Sequence, residues 1–338
     1  MSARRSIFRR PAAWTAARWA LGVGVLALLL VGLNGAEVAS RIASANRPLV
    51  LVGVLGLTAV HVLGAAAWRL LCRRLGGLHF GWATCLRIYY AAQALGGITP
   101  ANIGGDAYRV LAVRRAGLAW NSAVAPVLVQ RATSYLALAI LAFPALIWLA
   151  TSSHSPAAVL AAALVLCALA AGVALVLLVA PSRIARLRAR LPWNAATASD
   201  AATNDSAAWV RPGVGSVAVA TGFGLAFHLG SVLLTGLLVF AVDPSAGGIS
   251  VLAAVAVARL SLAVPILPSG LGANEAILSV LFVGLGLAPQ TALAALLLGR
   301  VALVLTTMLG AAQLVVGRQE IPSGDARVAA QPAGLPRR

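Results

Sequence analysis

The sequence contains no lysine, and it is almost as poor in acidic residues: eight Asp and Glu stand against 26 arginines among 338 residues, a formal net charge of +18. Charged residues make up only 10% of the chain, whereas 61% are hydrophobic and the mean hydropathy is +0.93. Soluble domains do not reach this combination, so a soluble enzyme or binding domain is excluded. The composition predicts an integral membrane protein.

Cysteine is also scarce. Cys72, Cys85 and Cys167 lie in or beside apolar segments at no metal-ligand spacing, so the sequence predicts neither a disulfide framework nor a metal site, and no cofactor. The arginines of a membrane protein concentrate in cytoplasmic loops, where they face anionic lipid headgroups. We expect such headgroups as partners and do not expect nucleic acid.

Two glycine-rich breaks interrupt the apolar segments. The helix-break residues are Pro100, Gly104 and Gly105 in the first break and Pro268, Gly270, Gly272 and Asn274 in the second. The sequences after the breaks also match, and they align Arg131 with Arg300, 169 residues later (300 − 131). The match predicts an internal duplication. Paired breaks in two halves of a membrane protein indicate a transport site.

Apolar runs and arginines together predict an all-α polytopic membrane protein with about six full transmembrane helices and two re-entrant hairpins. The spans are predicted at about residues 19–33, 48–71, 118–150, 157–180, 213–242 and 290–316. The hairpin arms are 82–98 with 107–118, and 249–267 with 275–287. If residues 82–98 crossed, the five arginines of loop 183–211 would lie outside. Eight full spans are the alternative, and a signal peptide is the alternative for the first run.

The predicted organisation has a basic cytoplasmic N-terminus (1–18), a membrane domain (19–317) and a disordered cytoplasmic tail (318–338). The membrane domain divides into halves of about 19–150 and 157–317, and the second contains the cytoplasmic loop 181–211. Three spans in each half require the halves to be inverted relative to each other. A hairpin also predicts a protein-lined or wet cavity, because irregular backbone is not tolerated against lipid.

Charged residues at membrane depth are the candidate site, since each costs several kcal/mol unless it faces a cavity or a partner. The candidates for lipid binding or transport are Asp106, Arg109, Arg131, Arg259, Glu275 and Arg300. Arg131 and Arg300 either bind a lipid phosphate in turn or form ion pairs with Asp106 and Glu275. No catalytic residue is predicted.

The remaining polar residues at membrane depth have simpler interpretations. Asp106 and Asn274 are expected as helix N-caps, and either Asp106 or Glu275 is a candidate for a change of protonation during transport. Arg109 marks the inner surface if it is not part of the site, and Arg259 is expected to face a cavity. His61 and His228 are interpreted as packing residues.

At the two breaks the sequence resembles the lysylphosphatidylglycerol synthase transmembrane, or flippase-like, family of bacterial and archaeal membrane proteins. The motif residues are Pro100 with Gly104-Gly105-Asp106 and Arg109, and Pro268 with Gly270-Leu271-Gly272 and Glu275. The resemblance covers most of residues 15–317.

The resemblance implies a plasma-membrane protein that moves a phospholipid, aminoacyl-lipid, hopanoid or polyprenyl-linked lipid between leaflets. Family members that synthesise aminoacyl lipid carry a soluble transferase domain after the membrane part; this chain stops at Arg338, so we do not expect an enzyme. The alternatives are a membrane-embedded transferase and a non-catalytic partner subunit in envelope synthesis. A homo-oligomer and an envelope-synthesis partner both stay open.

Overall fold

The computed structural model describes residues 19–99, 102–152, 172, 212–263, 271–316 and 327–328. Pro100, Pro268 and Gly270 lie outside these residues, as do the N-terminal segment 1–18 and the loop 181–211. The predicted fourth span apart from residue 172, and the predicted tail apart from residues 327–328, lie outside them too. Within the described residues the fold is helical, apart from a two-residue antiparallel pairing of β1 (Leu78–His79) with β2 (Arg327–Val328).

The helices of the described residues are numbered α1 to α11 in chain order. They are α1 (Trp19–Gly32), α2 (Gly35–Ser44), α3 (Arg47–Ala59), α4 (His61–Gly76), α5 (Trp82–Ile98), α6 (Ile103–Arg115), α7 (Trp120–Ser152), α8 (Val214–Val242), α9 (Ile249–Ala258), α10 (Ala273–Gly284) and α11 (Pro289–Val316). A 3-10 helix, Arg259–Ala263, continues α9.

Four helical stretches are long and apolar enough to cross a membrane: Arg47–Gly76, in which α4 continues α3, and Trp120–Thr151, Val214–Val242 and Pro289–Val315. They coincide closely with four predicted spans. Their exposed positions carry large apolar side chains, including Leu55 on α3, Phe143 on α7 and Met308 on α11. An apolar exterior on long helices is typical of contact with lipid. The chain is therefore an all-α, multi-pass membrane protein.

The predicted first span is interrupted. Residues 19–33 form helix only as far as Gly32, after which the chain bends by 87° into α2, and only the bent pair together has the length and hydropathy of a span. Asn34 lies at the bend with a left-handed φ of 55° and precedes Gly35. Asparagine tolerates this backbone region better than most residues, so it ends α1 without a proline.

Helix α8 lies at the centre of the described helices and packs against α3, α4, α7, α9 and α11. The largest buried apolar cluster joins α8 and α11 to the short helices α9 and α10, with Leu238, Leu278, Phe282 and Leu293 at its centre. A second cluster surrounds α5 and α6 and contains Trp68. Each pair of short helices is thus packed into its own part of the core.

The two pairs of short helices begin and end at opposite ends of α8. Near the start of α8, Arg74 at the end of α4 donates to the carbonyl of Gly215 at 2.9 Å, and Gly76 lies against Leu118, just before α7. The α5–α6 pair connects these two points. Near the end of α8, Asp243 accepts a hydrogen bond from Thr291 of α11 at 3.3 Å, and the α9–α10 pair lies between them in sequence.

Candidate functional site

The carboxylate of Asp106 organises a cluster at the first pair of short helices. Asp106 lies in the first turn of α6, where the helix dipole favours an anion. Its Oδ1 accepts from Arg109 Nη2 at 2.5 Å, and its Oδ2 pairs with Nε of Arg131 on α7. Arg109 also donates to the side-chain oxygen of Gln130 and lies over the ring of Tyr89. The cluster therefore ties α6 to α5 and α7.

The structure corrects the interpretation of Arg109 as a marker of the inner surface. Arg109 is only 6% exposed, whereas Arg115 at the end of the same helix is exposed. A buried guanidinium is tolerated here because a carboxylate, an amide oxygen and an aromatic face surround it. The sequence signal was available, since Arg109 follows Asp106 at the i, i+3 helix spacing that favours an ion pair.

The predicted N-cap roles of Asp106 and Asn274 are wrong. Helix α6 begins earlier than expected, after Asn102 at a left-handed φ of 59°, and helix α10 begins after Gly272 at φ 83°. Positive φ at these residues ends the preceding chain segment, so each helix is already formed where the predicted cap stands. The backbone N–H of Gly272, the residue before α10, donates to Glu275 Oε2 at 2.9 Å.

The glycines of the first break serve close packing more than chain reversal. Gly104 and Gly105 lie inside α6, and a Cβ on Gly105 would overlap the carbonyl oxygen of Ala92 on α5. The N–H of Gly104 donates to the Thr99 hydroxyl at 2.9 Å. The short helices therefore approach each other at a distance that a side chain at Gly105 would prevent.

Glu275 forms the equivalent ion pair at the second pair of short helices. Its side chain is fully buried, and its Oε1 accepts from Arg300 Nε at 2.7 Å and lies 2.6 Å from Nη2. In both clusters the arginine follows its acid by 25 residues (131 − 106 and 300 − 275). The sequence left open whether Arg131 and Arg300 bind a lipid phosphate or form ion pairs. In the structure each of them forms the ion pair.

A cavity of about 360 Å³ lies between α3–α4, α7, α8, the α9 end, α10 and α11. Its walls are largely apolar, with Leu57, Leu138, Phe227 and Leu296 among them. Its principal polar residues are His61, His228, Arg259, Asn274, Glu275 and Arg300. The cavity therefore combines charged groups with an apolar lining, an arrangement suited to an amphiphilic ligand.

The candidate residues fall into two places and do not share one central cavity. Glu275, Arg300, Arg259 and Asn274 line the cavity, but Asp106, Arg109 and Arg131 are not among its lining residues. The physical reason is that Asp106 holds both of its arginines in a packed cluster of its own. Tyr135 lies between the two places: it lines the cavity and its hydroxyl is 3.5 Å from Arg131 Nη1.

Arg259 is the cavity arginine without a carboxylate partner among the described residues. It lies where α9 tightens into the 3-10 helix, and its buried Nε makes no hydrogen bond within the described part of the chain. A guanidinium at membrane depth is costly in this state. Arg259 thus contributes a positive charge that the surrounding described side chains do not neutralise.

His61 and His228, interpreted from sequence as packing residues, both line the cavity. Each ring packs edge-on against Phe227, and His228 Nε2 is 3.0 Å from the Ser134 hydroxyl. The Nδ1 atom of His228 has no hydrogen-bond partner among the described residues. Nothing in the local pattern around either histidine distinguishes a cavity position from packing, so sequence reasoning missed them.

A third polar cluster lies at the end of α8, beside the first turn of α11. Arg41 of α2 contacts Glu37 at 2.9 Å, Asp243 at 3.6 Å and the Thr291 hydroxyl at 2.9 Å. Hydrogen bonds from the Ser245 hydroxyl, above all, and the nearby Arg41 charge hold the pKa of Asp243 below its usual range. This cluster fastens α2 to the turn after α8.

The described residues contain no group of three or more His, Cys, Asp or Glu placed to hold a metal ion. Cys72 and Cys85 are free and buried, and the Cys85 thiol donates to the Ala65 carbonyl.

A family model described as the lysylphosphatidylglycerol synthase TM region matches residues 16–310. The match includes both pairs of short helices and all of the described residues that line the cavity. Because it covers most of the chain, the protein belongs to this family. A comparison with curated proteins gave no match.

Proposed function

We propose that this family member is a lipid translocase, which moves a lipid headgroup between leaflets while the acyl chains stay in the bilayer. The observation that carries the proposal is the cavity that places Arg259 and the Glu275–Arg300 pair among apolar walls. A polar headgroup cannot cross about 30 Å of hydrocarbon unaided. A protein that offers compensating charge at membrane depth lowers that barrier.

The proposed topology has six spans and two re-entrant hairpins in inverted halves, within the bacterial plasma membrane and with both termini in the cytoplasm. Two contacts support it: the α5–α6 pair returns to the end of α8 near Arg74, and the α9–α10 pair returns to the end near Asp243. Arg73, Arg74 and Arg115 lie toward the first end, where we expect them to contact anionic headgroups.

The lipid would enter beside the second pair of short helices. Helix α1 covers this region: a Cβ on Gly272 would be 2.8 Å from Cβ of Val25, and Gly22 lies against Leu271. Helix α1 ends in a sharp bend after Gly32, so it is a short element that meets α2 at 87°. Displacement of α1 from Gly272 is the motion that we expect to open the cavity sideways to lipid.

We further propose that the protein acts as a carrier and not as an enzyme. A carboxylate that serves as the base of a transferase must be free to take up a proton. Glu275 is the only carboxylate among the described residues that line the cavity, and Arg300 together with the Gly272 N–H holds its two oxygens. A carboxylate held in this way supports structure and is poorly placed as a base.

A leaflet-exchange assay tests the proposal. Purified protein is reconstituted into liposomes with a trace of fluorescent phospholipid, and a membrane-impermeant reductant bleaches the outer leaflet. The wild-type protein is expected to bring inner-leaflet lipid to the reductant, with no change in the lipid's composition. Exchange no faster than in protein-free liposomes, from protein that is shown to be folded, would refute translocation. A new lipid product would instead support the transferase.

Arg259→Gln provides the matched comparison in the same assay. It removes a charged hydrogen-bond donor worth about 1.5–3 kcal/mol, so the exchange rate is expected to fall about tenfold or more. The control is Arg47→Gln, because Arg47 is exposed at the start of α3 and is not among the residues that line the cavity. The control should retain the wild-type rate.

A further inference from the structure

We infer that the cavity binds the phosphodiester of a lipid that carries one net negative charge, with Arg259 as its charge partner. The inference deepens the proposed function, because it names the class of lipid that the translocase would carry. It concerns binding alone, however, and can be tested without any measurement of transport.

The charges of the described lining residues set the charge of the ligand. The two arginines, Arg259 and Arg300, and the single acid, Glu275, give a sum of +1 (2 − 1). Glu275 and Arg300 neutralise each other at 2.6–2.7 Å, so the remaining charge is that of Arg259. The two histidines add no formal charge when they are counted as neutral. One negative charge on the ligand completes the balance.

This balance discriminates between the lipid classes that the family resemblance left open. A hopanoid brings no negative charge to Arg259, and a lysyl-esterified phospholipid brings a net positive charge to a cavity that is already positive. A pyrophosphate-linked lipid brings more negative charge than the cavity neutralises. A phosphodiester with an uncharged headgroup leaves neither a repelled nor an unpaired charge in the low-dielectric interior.

Unused hydrogen-bonding atoms in the cavity fit the same ligand. Three buried side-chain atoms have no hydrogen-bond partner among the described residues: Arg259 Nε, His228 Nδ1 and Asn274 Oδ1. The residues His228 and Asn274 are 8% and 9% exposed. With His228 Nε2 engaged by Ser134, its Nδ1 is able to carry the proton and donate. Arginine and imidazole donors suit phosphate oxygens, and the Asn274 oxygen suits a headgroup hydroxyl.

The size of the cavity is consistent with a headgroup alone. At about 360 Å³ it lies near the lower limit of small-molecule sites, about 300–1,000 Å³. Apolar walls from Leu57, Leu138 and Phe227 would contact the glycerol carbons next to the phosphate. The acyl chains would then extend away between helices into lipid.

The test measures binding to purified protein in detergent micelles, with three short-chain lipids that differ only in the headgroup. They are a dihexanoyl phosphatidylglycerol, its lysyl ester, and dihexanoylglycerol without phosphate. Affinity is read by calorimetric titration and by the rise in unfolding temperature that a ligand of the folded state produces. The phosphatidylglycerol is expected to bind at least about tenfold more tightly than either of the others, since one charged contact is worth that factor or more.

Variants assign the effect to Arg259. Arg259→Gln is expected to lose about tenfold or more in affinity for the phosphatidylglycerol. Arg259→Lys is expected to keep part of that affinity, and the exposed Arg47→Gln to bind as wild type. Without lipid, Arg259→Gln is expected to unfold at the same or a higher temperature, because it removes a buried charge that lacks a described carboxylate partner. A merely structural arginine would give a lower unfolding temperature.

Four results would overturn the inference: equal binding of the lipid without phosphate, tighter binding of the lysyl ester, wild-type affinity in Arg259→Gln, or free glycerol phosphate that binds as tightly as the lipid. The last result would assign the site to a soluble phosphoester. If Arg259→Gln does not fold, the comparison of the three lipids on wild-type protein still decides. Intact binding without leaflet exchange would reject the proposed translocation and leave this inference standing.

Discussion

Loss of one partner of the Glu275–Arg300 ion pair is expected to destabilise the protein more than loss of both. Glu275 is fully buried, with Arg300 Nε at 2.7 Å and the Gly272 N–H at 2.9 Å. Replacement of one member of a buried pair leaves the other charge uncompensated and costs about 3–5 kcal/mol, whereas replacement of both by uncharged residues is close to neutral. The prediction concerns Glu275→Gln, Arg300→Gln and their combination.

The structure ranks the two single variants. The Arg300 side chain is 20% exposed and lines the cavity, so in Glu275→Gln it can turn toward water, and the loss is expected near the lower limit, about 3 kcal/mol. The Glu275 side chain is 0% exposed, so Arg300→Gln strands a carboxylate with only the Gly272 N–H, and the loss is expected near about 5 kcal/mol. Since the double variant is expected to lose less than either single, the coupling energy should be at least about 5 kcal/mol.

The assay is a detergent-titration unfolding experiment in mixed micelles, followed by the fluorescence of the eight tryptophans. The control cycle uses Glu37→Gln and Arg41→Gln, whose side chains are 39% and 28% exposed, so their coupling is expected at or below about 1 kcal/mol. Additive losses at Glu275 and Arg300 to within about 0.5 kcal/mol would refute the argument. So would a double variant less stable than both singles.

Three further predictions concern helix packing, the pH dependence of stability and the membrane topology. Gly310→Leu should lower the unfolding temperature markedly, because a Cβ at residue 310 would overlap the Tyr90 carbonyl oxygen on α5. The control, Gly24→Leu, should change the unfolding temperature little, because no atom lies within 4 Å of a Cβ at that position. Equal shifts in the two variants would contradict the packing. The free energy of unfolding of wild type should exceed that of Asp243→Asn by a constant amount between pH 7 and about pH 5, and the difference should disappear only in acid. The reason is that the folded pKa of Asp243 lies below the unfolded value of about 3.9, so its stabilisation is lost as pH falls through the folded pKa. Loss of the difference near neutral pH would contradict this argument. Residues 247 and 115 are exposed and lie near opposite ends of α8. In a cysteine-free background, an impermeant thiol reagent outside the cell should therefore label Gly247→Cys but not Arg115→Cys. Labelling of both variants from outside would reject the proposed topology.

The positions of the long helices could be predicted from the sequence, because they depend on the length and hydropathy of the apolar runs. The spans at 48–71, 118–150, 213–242 and 290–316 were predictable because apolar runs of that length form helices in lipid. The bend after Gly32 was not predicted, because hydropathy continues past it and only the backbone conformation of Asn34 ends the helix. Cavity positions of single histidines depend on the packing of four or more helices, which local periodicity does not encode.

The ion pairs show how a residue match can fall one position short of the structure. The sequence comparison placed Asp106 opposite Asn274, because each stands six residues after the proline of its break (106 − 100 and 274 − 268). In the structure the acid that pairs with Arg300 is Glu275, as Asp106 pairs with Arg131. Asp106 is the fourth residue of α6 and Glu275 the third of α10, and each contacts the arginine 25 positions later. The start of each helix, which the letters alone do not fix, determines which side chain reaches that arginine.

The asymmetry of the two halves bears on how a lipid phosphate would be held. Transfer of the phosphate from Arg131 to Arg300 would require each ion pair to open in turn, at about 3–5 kcal/mol for a buried pair. Arg259 can bind a phosphate without the opening of a described ion pair. The alignment of the two break prolines, which are 168 residues apart (268 − 100), pairs Arg259 with Ala91, a buried alanine on α5. A symmetric duplication would have placed two such arginines in the protein. The described helices instead hold this positive charge in the second half alone, so the phosphate would stay at one site while the helices around that site change which leaflet reaches it.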